Sequence, residues 1–390
     1  MGIFDELQKE INNIDEETEY KGYWYKISHV LIILVMGALC EIKNPWDIHK
    51  WAISKPTQHF LQQQFGIGKI MSRAQFYNIL AVVNAEKFKL CFIRWMQKVL
   101  SAVASDSETR VSAVAGKTVA IDGKTVNSTG KLTEDGSILN IVSAHVAEMK
   151  LTIGTHECMS KQGERAALRE LIEMLELLGS VVVADALHCN KPTIEAIIKA
   201  GADYVLVAKD NAPTLKKHVK NCLETGFVSS AITKELNGGR IETRTAYTTS
   251  ELGQLESSSS WPNIKTVGAI HRQFENIKHG DKSDEWHYYI SSASLAPEQL
   301  LHHARMEWSV ESMHWLLDVH FQEDKTAIYD MNVQKILNAV RKIALNLVRI
   351  YRDANHTPNT ALNGIMKNNL YDLDVLAEFV KFFCTFLELD

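Results

Sequence analysis

The sequence predicts an α/β protein: a mixed sheet with flanking helices, carrying a β-rich insertion and preceded by an all-α N-terminal domain. Three observations carry the prediction. Residues 22–105 read as one helix after another. Between 118 and 157, three short β-branched runs follow one another at hairpin distance. From 164 to 226, helical and strand-like segments alternate, the pattern of strands that lie parallel. The domain boundary therefore falls between 105 and 106. The insertion spans about 227–295, and the chain is helical again from Pro297.

Residues 1–20 are acidic and polar and predict an exposed arm or a surface helix. The most apolar run, VLIILVMGALC at 30–40, is shorter than the roughly 20 residues that cross a bilayer, so it reads as a buried core helix and no membrane partner is expected. Ser72 to Gln75 has capping-box spacing. It opens a helix, FYNILAVV, that runs on into NAEKFKLCFIRWMQKVL. Lys87, Lys89, Arg94 and Lys98 fit a DNA-binding domain and a packing bundle equally well, because solvated helix faces look the same.

TVAIDGKTV (118–126), ILNIVSAHVA (138–147) and MKLTIGTHE (149–157) read as an antiparallel meander. ERAALRELIEMLELLG (164–179) is an amphipathic helix stopped by Gly179. SVVVADA (180–186) and ADYVLVAK (202–209) are buried strands. KPTIEAIIKAG (191–201) and APTLKKHVKNCLETG (212–226) are helices. By analogy of order, a meander followed by such units is ribonuclease-H-like. In the insertion, NGGR (237–240) signals a turn and SSSS (257–260) a loop. RIETRTAYTT, IKTVGAIHRQFE and EWHYYISSAS read as its strands. The segments after Pro297, through HHARMEWSVESMHWLLDVHF and VQKILNAVRKIALNLVRIYRDA, are helical.

The composition bounds the function. With 390 residues and 46% hydrophobic content, the chain fits one large domain or two to three smaller ones. The net charge of −5 runs against the basic balance usual in DNA-binding proteins. An acidic site lowers that number without preventing local basic patches. Six scattered cysteines form no C-x-x-C pair and no secretory signal precedes them, so a reduced, cytoplasmic setting is expected. His188 and Cys189 lack a second ligand pair at zinc spacing, so no structural zinc site is expected.

The candidate site is acidic. Asp122 follows one β-branched run and Asp185 ends another, at or near strand ends where a side chain reaches a cleft. An aspartate there is also a common turn former or cap. On the helix after Pro297, Met306, Val310, Met313, Leu317 and Phe321 make an apolar stripe, and Glu307, Glu311, His314 and Asp318 make a second, polar one. Like charges four residues apart repel by a few tenths of a kcal/mol. A solvated face tolerates that, and a bound cation reverses it. Carboxylates converging on one cleft suit two divalent ions, Mg2+ or Mn2+, in phosphoryl transfer. Lys124 reads as a phosphate contact or a turn lysine, and Lys209 ends a strand near the cleft. Asn211 reads as a helix N-cap or as part of a phosphate-holding N-terminus. Trp308 and Trp315 read as core, and His302–His303 as surface. Arg341, Lys342, Arg349 and Arg352 read as a DNA-tracking or solvated face.

Several long segments in order resemble a known family. AIDGKTV, KLTIGTHECMSKQGE, VVVADALHCNK, GADYVLVAKDNAPTL, GGRIETR, YYISS, RMEWSVESMHWLLDVHFQED and RKIALNLVR are similar to the H-repeat-associated group of bacterial insertion-sequence transposases, within the DDE class. ILVMGALCEIKNPWDIHKWA resembles that group's helical domain. The resemblance implies a catalytic, metal-binding triad of Asp122, Asp185 and Glu311, whose intervals of 63 and 126 residues fit a β-rich insertion before the glutamate helix. It implies metal-dependent cleavage at transposon ends and strand transfer into double-stranded target DNA by a homo-oligomer, a dimer by family analogy. Some positions depart from the group's pattern: Glu307 stands for a usual histidine, Ser312 for an asparagine, Asn127 for an arginine, KQGE (161–164) for K-S-N-E, and Ala212 for a glutamine. These departures motivate two alternatives, a catalytically impaired DNA-binding relic and a nuclease of the same fold without strand transfer.

Overall fold

A computed structural model describes residues 2–16, 25–103, 112–127, 129, 138–237, 240–255, 261–277, 281–325 and 328–385. The boundary at 105/106, the SSSS loop and the central NGGR glycines lie outside the described residues. Six helices come first: α1 (Ile3–Glu16), α2 (Ile27–Leu39), α3 (Pro45–Ala52), α4 (Lys55–Phe65), α5 (Arg73–Val82) and α6 (Ala85–Val103). Local chemistry sets their ends. Asn44 and Ser54 cap α3 and α4, each followed by a proline in the first turn. Gly66, at φ 70°, closes α4. Ser72 and Gln75 form the expected capping box on α5. Two helices rather than one follow, because the chain turns at Val83–Asn84 before α6.

The first helix is not an exposed arm. Ile3, Phe4, Leu7, Ile11 and Ile14 of α1 are buried, and Glu6 and Glu10 hold Lys98 and Arg94 of α6 across the helix pair. Lys89 is buried between Glu86 and Glu157. Three of the four cations that fitted a DNA-binding face are therefore engaged in holding α6 to its neighbours. As expected, α2 is buried along almost its whole length, against α1, α3 and the long α12 (Met331–Asn355). Among the described residues no helix is long and apolar enough to cross a membrane.

One nine-stranded sheet organises the rest. Its strands are β1 (Thr118–Thr125), β2 (Asn140–Val146), β3 (Leu151–Cys158), β4 (Val181–Ala184), β5 (Asp203–Ala208), β6 (Ser229–Asn237), β7 (Arg240–Thr249), β8 (Thr266–Asn276) and β9 (Lys282–Ser291), in the order β3-β2-β1-β4-β5-β9-β8-β7-β6. The meander β1–β3 is antiparallel, whereas β1, β4 and β5 are parallel, as the sequence predicts. The insertion has four strands, not three. SSAITKELN lacks a clean alternation, so β6 is invisible until β7 supplies its ladder. The insertion also prolongs the core sheet, because β9 pairs antiparallel with β5.

Helices α7 (Glu164–Met174), α8 (Lys191–Lys199) and α9 (Pro213–Thr225) connect the strands. Of these, α7 ends five residues before Gly179. That glycine, at φ 75°, instead turns the chain into β4. The helix expected from Pro297 is two helices, α10 (Pro297–Met306) and α11 (Trp308–Phe321), meeting at Glu307. After α12 come α13 (Leu362–Tyr371) and α14 (Leu373–Thr385), the latter packed on α1 and α4. Arg341, Lys342, Arg349 and Arg352 of α12 are all buried and so do not form a solvated face. On the same helix, Asn346 donates to the Thr152 carbonyl (2.7 Å) and accepts from its amide (3.0 Å), which satisfies the outer side of β3.

Candidate active site

The parallel ladder between β1 and β4 ends with Ile121 opposite Ala184. The next residues on the two strands are Asp122 and Asp185, which therefore emerge side by side where the parallel pair ends, the usual place for a ligand crevice. Asp122 itself lies midway along β1, which continues to Thr125 against β2 alone. Asp185 also caps a 3₁₀ turn, Ala186–His188, accepting from the Leu187 amide at 2.6 Å. It thus has the cap role that any aspartate can play, with its second oxygen left for other work.

Helix α11 crosses beside β1. Val310, Met313, Leu317 and Phe321 bury its apolar stripe, while its polar stripe divides into three roles. Glu311 is exposed and lines a cleft of about 1000 Å³ together with Asp185, Glu307 and Lys209. His314 is buried and turns Nδ1 towards Asp122 Oδ2, at 3.7 Å. Asp318 accepts from Lys124 at 2.6 Å. Lys124, also 3.0 Å from Glu323, is thus the bridge that ties β1 to α11 and not a turn lysine. Glu323 completes a buried network with Asn338 and Lys342 of α12.

A further carboxylate, Glu164, passed over in the sequence, stands against Gly123, next to Asp122. A Cβ on Gly123 would lie 2.5 Å from the Glu164 carboxyl carbon, so only glycine lets that side chain approach β1. Glu164 is buried and 3.2 Å from His188 Nε2. Its only sequence signal was the Lys161–Glu164 motif, because an acid in the first turn of a helix is ordinary dipole complementation.

Electrostatics register the crowding. Burial, then the charges of Asp185, Glu164 and Glu311, push the Asp122 carboxyl up to about 6, against one stabilising backbone bond. Burial and the Asp185 charge raise Glu307 to about 7, with Lys209 opposing. Burial, then Lys342, lowers His314 to about 3, so its ring is neutral. The His314 Nε2 is buried without a partner. A set of hard oxygen donors that repel one another in this way is the donor chemistry of a divalent-cation site. Among the described residues, three potential ligand atoms gather within 4.8 Å only at Glu86, His156 and Glu157. There Lys89 already supplies the positive charge.

The opposite wall of the cleft is the insertion, through Arg244, Arg272 and His287. These two arginines and Arg305 are paired with Glu235, Glu242 and Glu285. Exposed Lys209 has no carboxylate within 4.0 Å among the described residues. Asn211 is not an N-cap, because Ala212 holds that position. The Asn211 side chain donates to the Ala186 carbonyl at 2.5 Å, which fastens the β5–α9 loop to the turn after Asp185. His303 is buried against Thr118, at 2.9 Å, contrary to its reading as surface. Trp308 and Trp315 are exposed, contrary to their reading as core.

A family model described as Transposase DDE domain matches residues 115–347, which takes in all of these carboxylates. A protein of Escherichia coli O157:H7 named "Putative transposase YncI" is 29% identical over 311 residues, 77% of this chain and 76% of its own. The "H repeat-associated putative transposase YhhI" of E. coli K12 is 27% identical over 359 residues, 88% of this chain and 91% of its own. Among solved structures, a piggyBac transposase synaptic complex with hairpin DNA covers all of this chain and 80% of that one, at 12% identity and a TM-score of 0.44. A likeness that distant carries no argument.

Proposed function

The chain belongs to the transposase DDE-domain family, and we propose that it cuts DNA strands at transposon ends in a metal-dependent reaction and transfers them into target DNA. The observation that carries this reading is the register of β1 and β4, which sets Asp122 beside Asp185, with Glu311 on α11 lining the cleft that Asp185 lines. On this reading the β3-β2-β1-β4-β5 half of the sheet is a ribonuclease-H-like core. Residues 106–390 form the catalytic domain, residues 1–105 a helical domain, and a dimer holds two DNA ends.

Asp122, Asp185 and Glu311 would hold two divalent cations, magnesium or manganese by the hardness of the donors. When bound, such ions activate a water or a 3'-hydroxyl and offset charge on the leaving oxygen. The protein's own residues set the stage. Asp185 is fixed by the turn that it caps, and Asp122 is flanked by His314 and Glu164. Lys209, with no carboxylate within 4.0 Å among the described residues, supplies a positive charge for a phosphate in the cleft.

Asp122→Ala, Asp185→Ala and Glu311→Ala are each expected to abolish magnesium-dependent nicking of the element's own ends while DNA binding persists. Full nicking by any one of them would remove that residue from the site. Joined DNA products separate transposition from simple hydrolysis, and failure of the intact chain to cut in manganese would leave the relic reading.

A further inference from the structure

The cleft does not end at its carboxylates. Past the junction of α10 and α11 it is lined by His145, Lys150, Ser309 and Arg349. These side chains come from the β2–β3 hairpin, the first turn of α11 and the far part of α12. His145 stands opposite Ala120 in the β1–β2 ladder, two residues before Asp122. At 3.3–3.4 Å per residue, that is about 7 Å along the strand. None of the four has a part in the cutting chemistry proposed above.

The cations here lack acids. Elsewhere in the cleft, Arg244, Arg272 and Arg305 are paired with glutamates. Arg349 is 4% exposed, donates from Nη1 to the Lys150 carbonyl, and is in no ion pair among the described residues. The one acid of α12, Asp353, is held by Arg352 at 2.7 Å. One carbonyl satisfies only one of the five N–H groups of a guanidinium. Burial, then Arg352, lowers the Arg349 pKa to about 10, so it stays charged at neutral pH. Lys150, exposed in the turn at φ 56°, is likewise in no ion pair among the described residues. The Ser309 hydroxyl oxygen is buried without a hydrogen-bond partner. Glu148, on the same turn as Lys150, is already engaged. Its two oxygens accept from the Thr118 amide at 3.0 and 2.9 Å, and His302 stands 3.0 Å from one of them. Buried charges are normally paired. Two cations and a hydroxyl with no carboxylate to meet them are the donor set for an anion rich in acceptor oxygens, as phosphate is.

We propose that Arg349, Lys150 and Ser309 form a second phosphate site in the cleft, holding a backbone phosphate of the DNA strand a few nucleotides from the one at Asp122, Asp185 and Glu311. Phosphates follow one another at about 3.4 Å of rise per nucleotide, so near neighbours of the phosphate being cut come within reach. The proposal rests on the transposase reading of the same cleft. It adds the path of the strand, across the α10–α11 junction and onto the β2–β3 turn. Arg349 and Lys150 position that strand and take no part in the chemistry.

The test is the salt dependence of DNA binding by the full chain, on a fluorescent duplex of the element's own end, without divalent metal so that no strand is cut. Each phosphate neutralised contributes about 0.9 to the slope of log affinity against log salt. Lys150→Gln and Arg349→Gln are each expected to lower that slope by about one, and Lys150→Arg to leave it unchanged. Lys199→Gln is the control. Lys199 is paired with Glu173 at 3.6 Å, on a surface that also carries Glu170 and Glu195, so the slope should not move. Thermal melting shows whether Arg349→Gln folds, and if it does not, Lys150→Gln, at an exposed position, decides the test. An unchanged slope in Lys150→Gln overturns the proposal. So does an equal fall in Lys199→Gln, which would make the change one of net charge alone. Free phosphate is the other source of the same chemistry. If inorganic phosphate raises the melting temperature of the intact chain more than that of Lys150→Gln while their slopes agree, the site serves free phosphate and the DNA proposal falls. If Asp122→Ala abolishes nicking but Lys150→Gln keeps the full slope, only the second phosphate site falls. If the chain neither binds nor cuts DNA, both readings fall.

Discussion

The imidazole of His314 stands 3.7 Å from the carboxylate of Asp122, one turn along α11 from Glu311, so a single neutral side chain sits between the elements that carry two of the three acids. Burial and Lys342 hold the ring unprotonated, which leaves it able to orient a carboxylate without adding charge. His314→Phe preserves bulk and removes that contact. Loss of a group that orients a metal ligand typically costs about 10–100-fold in metal affinity. A titration of nicking against manganese should therefore show half-saturation moved upward by about that factor. An unmoved titration would assign His314 to packing alone.

Asp122 links the site to stability. Its folded pKa of about 6 lies above its ordinary 3.8, so between those values the folded chain keeps a proton that the unfolded chain has released. The stability contributed by that carboxyl is full below pH 3.8 and is lost as pH rises through about 6. Metal-free Asp122→Asn should therefore be more stable than the parent at pH 8, by on the order of 1–3 kcal/mol, while losing nicking. Denaturant melts at pH 4 and pH 8 measure both arms. Magnesium should stabilise the parent at pH 8 and not the variant, and equal responses would remove Asp122 from the cation site.

Glu323 is 2% exposed between Lys124 and Lys342. Burial alone would raise its pKa, but the neighbouring cations hold it down to about 2. Glu323→Ala leaves Lys342 buried beside a lost partner and leaves Lys124 with Asp318 and Asp324, a loss worth about 3–5 kcal/mol. Urea melts should show it. Lys342→Met removes one charge and keeps the Lys124 bridge, so it should cost less.

Gly123→Ala tests the approach of Glu164. The added Cβ meets the Glu164 carboxyl at 2.5 Å, so the side chain must leave or β1 must shift. Such overpacking costs about 1–3 kcal/mol. Combining it with Glu164→Ala should recover most of the stability. If the double variant is no better than the single, β1 itself is strained at Gly123.

Legibility of the site in the sequence followed chain order. Asp122 and Asp185 were readable because each ends an apolar β-branched run, and parallel pairing of neighbouring runs sets their ends together. Glu164 was not, because its proximity depends on a glycine 41 residues away. The kink at Glu307 has no proline or glycine to announce it. It separates α10, which packs on the insertion, from α11, which packs on β1. Trp308 and Trp315 were misread because composition argues that indoles are buried. The cations of α12 were misread because a helix pattern cannot tell a solvated arginine from one that bonds to backbone, as Arg349 does to the Lys150 carbonyl.

The pairing of β5 with β9 joins Val205 to Ser291 across the whole insertion. Closing so long a loop is slow, and long-range strand pairing is the step that delays folding. Both aspartates leave the ribosome well before it, but Glu311, which lies beyond β9, does not. The β3 edge likewise waits for Asn346. A half-made chain therefore carries two of the three acids and no closed cleft, and the full set of carboxylates proposed for the site arrives only with the last part of synthesis.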